Sequence, residues 1–283
     1  LDKKNIIIFF IILCMLTLAG CGEKPQKPLK EDSKEKISEH LEKIDGENEK
    51  LIEEVEKIKK EREKPVIMLE DEKSSNSKNE EEKGDEEKKE KDDTIKTEDK
   101  ILKRDKAVYT MWENTLKKVE LIHQEWNSYE QEAIEKGASS DDILAFERAI
   151  DGLALAVDNK DIFKTLIKAN EATYNLARFF DFYKGNIDGE ISRIKYYARQ
   201  IYLASALNQT LDMDGMLKNI SDALDRLRQK VRLEEKDKDV IIKLHSSIQD
   251  MLKTFQYKNT ELLRIKKDIV LENAKEVLEK ARK

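Results

Sequence analysis

Histidines and clustered aromatic rings are the places where this sequence could do chemistry. Glu120, His123 and Asn127 fall three and four residues apart, so one helix face can carry all three. An imidazole beside a carboxylate binds a metal once a second helix supplies further ligands. His245 flanks an apolar stripe near the C-terminus, which makes Glu120, His123 and His245 the candidate metal ligands. Histidines at the edge of a stripe are more often structural, so the expectation is no metal and no cofactor. A second candidate is the aromatic stretch from Tyr174 to Tyr202. Its rings point in more directions than one helical stripe can bury. Asn170, Tyr174, Phe179, Tyr183 and Tyr197 are the candidate lining of a groove for a ligand or a partner peptide. The plainer explanation is a central helical hairpin buried on several sides. Arg226, Arg228, Lys230 and Arg232 form a basic stretch able to meet anionic polymer or lipid headgroups. Asp225, Glu234 and Glu235 beside it read instead as an ordinary solvated face. No Gly-rich phosphate loop, HExxH or GxSxG occurs. An enzyme reading therefore rests on scattered carboxylates alone.

The elements that must position these residues are helices. From Lys103 onward the apolar residues recur at helical spacing, and no strand pattern competes. A first helix carries Trp112, Leu116, Val119, Ile122, Trp126, Tyr129 and Ala133, and stops at Gly137. Ser139-Ser140-Asp141-Asp142 reads as the cap of a second, which buries Ile143, Phe146, Ile150, Leu153 and Val157. A third runs to near Gly185, a fourth carries Ile191 to Leu207, and a fifth spans about 211–235. A sixth starts near Asp239, with a break or bend expected at Lys258-Asn259-Thr260. Short connections make successive helices antiparallel. The expected fold class is therefore all-α, an antiparallel helical bundle or an irregular helical-hairpin array, over residues 101–283.

Residues 22–100 differ in composition. They hold no aromatic residue and 20 Lys/Arg against 28 Asp/Glu, whereas residues 101–283 hold 32 against 31. The near-neutral domain gives no reason to expect nucleic acid as a partner. Within 33–64, Ile37, Leu41, Ile44, Asn48, Leu51, Val55 and Ile58 follow an a/d series that ends before Pro65. This predicts an amphipathic helix, capable of weak self-association with Asn48 fixing register. The alternatives are a single amphipathic helix packed on the domain, or a fraying solvated one. The charged run at about 70–100 buries too little apolar surface to repay its ordering entropy. Residues 21–100 thus read as an acidic tether with one helix and a disordered linker.

At the N-terminus, Lys3 and Lys4 precede an apolar run from Ile6 to Leu18, too short for a comfortable membrane span of about 20 residues. Leu18-Ala19-Gly20-Cys21 follows. Together these resemble the signal peptide and lipobox of bacterial lipoproteins, with residues 1–20 removed. Leu1 fits an alternative start codon read literally. The resemblance covers residues 1–22 only. It implies diacylglyceryl on the Cys21 thiol and a chain held on the extracytoplasmic face of the cell membrane. Loss of Cys14 with the signal would leave no other cysteine. The expected function is a non-enzymatic binding or scaffold module of the cell envelope, with an unknown envelope protein or small ligand as partner. The alternative is a metal- or small-solute-binding helical protein.

Overall fold

The structure, a computed structural model, describes residues 34–65 and 86–282, with side chains from 97 onward in the second stretch. The signal and Cys21 lie outside the described residues. Eight α-helices and one 3-10 turn account for the described chain, with no strand among the described residues. We label them α1 (Glu39–Glu63), α2 (Glu86–Glu135), α3 (Ser140–Asp158), α4 (Ile162–Phe180), α5 (Asp188–Ala206), α6 (Met213–Lys230), α7 (Asp239–Phe255) and α8 (Thr260–Ala281). The 3-10 turn is Glu235–Asp237. The fold is all-α, as expected.

Local chemistry sets the boundaries. Side chains of Ser139, Asp161, Asp212 and Asn259 each accept a backbone N–H from the first turn of α3, α4, α6 and α8. Each such cap is worth about 1 kcal/mol. Gly137, at φ 100°, ends α2 in a conformation that a side chain would strain. The predicted break after α7 occurs where Lys258 turns left-handed at φ 50°.

The packing order shows two four-helix bundles in tandem. α1 packs on α2, α2 on α3, α3 on α4, and α4 back on α1. α5 packs on α6, α6 on α7, α7 on α8, and α8 back on α5. The bundles meet through α4 and α5. The first core includes Trp112, Trp126, Tyr129, Phe146 and Phe179. The second is mostly aliphatic, with Ile194, Ile201, Leu227, Leu244, Val270 and Val277 fully or almost fully buried.

Two expectations are corrected here. The helix assigned to the tether is α1, a wall of the first bundle. Leu41, Ile44, Leu51, Val55 and Ile58 are fully buried. The Asn48 amide donates to the Ala169 carbonyl at 3.0 Å and to Thr173 Oγ1 at 2.9 Å. The face that self-association would use is covered by α2 and α4. An a/d series needs an apolar partner, and the chain's own helices supply one at far higher effective concentration than a second copy. The linker at 70–100 is corrected in part. Residues 86–100 are the first turns of α2, a 50-residue helix about 75 Å long. The rest of that run lies outside the described residues.

Candidate functional site

The sequence-predicted groups do not converge. Glu120 is exposed and His123 half-buried on α2, whereas His245 lies on α7 of the other bundle. His245 Nδ1 sits 2.8 Å from the Arg228 guanidinium and Nε2 3.0 Å from the Gln249 amide. No set of three His, Cys, Asp or Glu side chains able to hold a metal occurs among the described residues. His40 instead pairs with Glu125 at 2.6 Å, joining α1 to α2.

The proposed groove residues fall into two groups, both used in packing. Phe179 is fully buried, 5.2 Å from the Trp126 ring and 5.8 Å from Phe146, in edge and tilted contacts. The Tyr183 hydroxyl donates to Glu132 at 2.7 Å, and burial with the Glu132 charge pushes it up to about 12. Tyr174 packs on Tyr196 at 4.6 Å and on Tyr197 at 6.3 Å, across the α4–α5 contact between the bundles. Buried Asn170 donates to the Tyr196 carbonyl at 3.1 Å, while its Oδ1 has no partner.

What the sequence reading missed is a charged seam between the bundles. α1 carries Glu42, Asp45, Glu49 and Glu56 on a second face, beside the apolar one. That spacing was the available signal. α5 answers with Lys195 and Arg199 and adds a further carboxylate, Asp188; α8 supplies Lys267, and Arg282 follows its last residue. Arg199 grips Glu49 with two bonds at 3.0 and 2.6 Å, and Lys195 lies 3.6 Å away. Arg282 bonds Asp188 at 2.5 Å and Glu42 at 3.2 Å. Lys267 is 1% exposed, bonds Glu56 at 2.5 Å and lies over the Tyr202 ring at 4.9 Å.

The seam sets its own titrations. Burial pushes Glu49 up, but the Arg199 and Lys195 charges outweigh it and hold the carboxyl at about 2. Asp45 is half-buried as a residue, yet its Oδ1 is enclosed without a hydrogen-bond partner. Burial raises it to about 6, Glu49 and Asp188 add to the rise, and Lys195 and Arg199 oppose it.

The chain matches no protein-family model, no curated protein and no solved structure.

The seam opens at the far end of α1 into a cleft of about 370 Å³. Tyr202 lines it, together with Glu53, Glu56 and Lys60 of α1 and Glu261, Arg264 and Asp268 of α8. Most of these charges are already matched. Arg264 bonds Glu261 at 2.6 Å and Asp268 at 2.9 Å. Its chemistry is that of a polar surface with alternating charge.

Proposed function

We propose that this protein is a lipid-anchored helical binding or scaffold module on the extracytoplasmic face of a bacterial cell membrane. One observation carries the reading. A positive n-region, a short apolar run, small residues and Cys21 occur in the order that lipoprotein signal processing requires. Among the described residues no helix is long and apolar enough to cross a membrane. Mass spectrometry of the membrane-extracted protein tests the reading. The expected mature form begins at a lipid-modified Cys21, and Cys21→Ala abolishes lipidation. A mature form beginning anywhere else overturns it.

The cleft beside Tyr202 favours a second reading, capture of a small polar solute by the same module. Alternating carboxylates and cations around one aromatic ring suit a zwitterion better than an apolar ligand. Thermal-shift screening of zwitterionic solutes tests this. A response in the wild type that Tyr202→Leu abolishes supports it, and a flat screen removes it.

A further inference from the structure

Glu35, the first residue of the compact unit, is pinned at one end of the tandem bundles. Its backbone N–H donates to the Lys184 carbonyl at 2.9 Å and its carboxylate takes Lys136 at 2.7 Å. The α2–α3 and α4–α5 turns therefore lie at this end. Glu190, in the first turn of α5 and 1% exposed, holds Arg226 and Lys230 near the end of α6. Asp237 holds Lys280 near the end of α8 at 2.7 Å. The α6–α7 linker is thus at the Glu35 end too, and the cleft at Tyr202 is at the opposite one.

At this linker the surface changes character. A cavity of about 380 Å³ is lined by Arg228, Val231, Arg232, Leu233, Lys238 and Ile241, three cations and three aliphatic side chains with no carboxylate. Asp225 and Glu235 pair with Arg228 and Lys238. Neither is part of the lining. Among the described residues Arg232 bonds the backbone carbonyls of Gln229 and Val231. Ile242, the residue after Ile241 on α7, is 66% exposed. An anionic head with an apolar tail satisfies both halves of such a lining. Glu35 follows Cys21 by fourteen residues, a length of chain that spans at most about 50 Å.

We infer that the α6–α7 corner is a membrane-contact surface that takes anionic phospholipid, with Arg232 and Arg228 on the headgroup phosphate and Leu233, Ile241 and Ile242 against the acyl boundary. The lipid-anchor reading supplies the membrane, but the surface can be tested without it. The chain from Gly22, which keeps every described residue and carries no lipid, is co-sedimented with vesicles of phosphatidylcholine alone or with 30% phosphatidylglycerol. Binding is expected to the anionic vesicles only, and to weaken with salt. Arg232→Glu removes one attractive charge and adds a repulsive one, so the partition coefficient falls by about 30-fold, and Arg228→Glu behaves alike. Ile242→Ser weakens binding several-fold. Lys218→Glu, the same charge change at the other end of α6, leaves it unchanged. Circular dichroism of each variant confirms the fold. Equal partition onto neutral vesicles, binding to polyglutamate but not to vesicles, or insensitivity to both arginine variants overturns the inference. A failed lipid test at Cys21 with this binding intact removes the anchor and leaves the surface.

Discussion

The two bundles share one topology and are filled differently. In α1–α4, Trp126, Phe146 and Phe179 meet at 4.6–5.8 Å in tilted and edge contacts, and that geometry fixes how three helices sit. In α5–α8 the filling is isoleucine, leucine, valine and alanine with Met251, and Tyr197 is the one aromatic residue in the buried cluster among the described residues. Charged pairs close that bundle at the Glu35 end, through Glu190 and Asp188. Shape specifies the first bundle. The second combines volume with charge placement. Between them, the α4–α5 contact joins the cores through Tyr174, Tyr196 and Tyr197, and beside it Glu49, Arg199, Lys195 and Lys267 form the charged seam.

The sharpest test of this contrast is in the cores. Phe179→Ala is expected to cost about 3–5 kcal/mol, whereas Met251→Leu in the second bundle costs under about 1.5 kcal/mol. Urea denaturation measures both, and equal costs would erase the distinction. The seam is tested next. Glu49→Gln leaves buried Arg199 without its carboxylate, at a cost of about 3 kcal/mol. Both tryptophans, Trp112 and Trp126, lie on α2, so fluorescence reports the first bundle and circular dichroism reports both. The two signals are expected to coincide on wild-type unfolding and to separate in Glu49→Gln.

Proton linkage gives effects confined to part of the pH range. Asp45 rises from the usual 3.8 to about 6 on folding, so its contribution is full below pH 3.8 and is lost as pH rises through 6. Glu49 has the opposite sign: its contribution is present above pH 4.5 and is lost as pH falls towards 2. Asp45→Asn should therefore raise stability at pH 8, by up to about 3 kcal/mol, and leave it unchanged below pH 3.8. A gain that persists in acid would point to packing instead. The smallest effect belongs to the cleft, where Lys60→Ala should stay within about 0.5 kcal/mol of wild type.

The sequence by itself determined the helices, their antiparallel order, most of their ends and the apolar stripe of each. These follow from local spacing, caps and turns, which act within a few residues. It also carried the pattern from Lys3 to Cys21 on which the proposed lipid anchor rests, a linear pattern that needs no fold. It did not determine that α1 belongs to the domain. An a/d series shows that a face must be covered, not by what, and only the tertiary structure supplied α2 and α4 as the cover. The same limit explains the candidate sites. Phe179 and Tyr197 belong to the same aromatic stretch yet serve different cores, because Phe179 on α4 turns into the first bundle and Tyr197 on α5 into the second. The acidic face of α1 was legible as spacing, but its meaning came from Lys195, Arg199, Lys267 and Arg282, some 150–240 residues away. The tertiary structure also placed the α6–α7 corner at the Glu35 end and the Tyr202 cleft at the other, since only packing fixes which turns share an end.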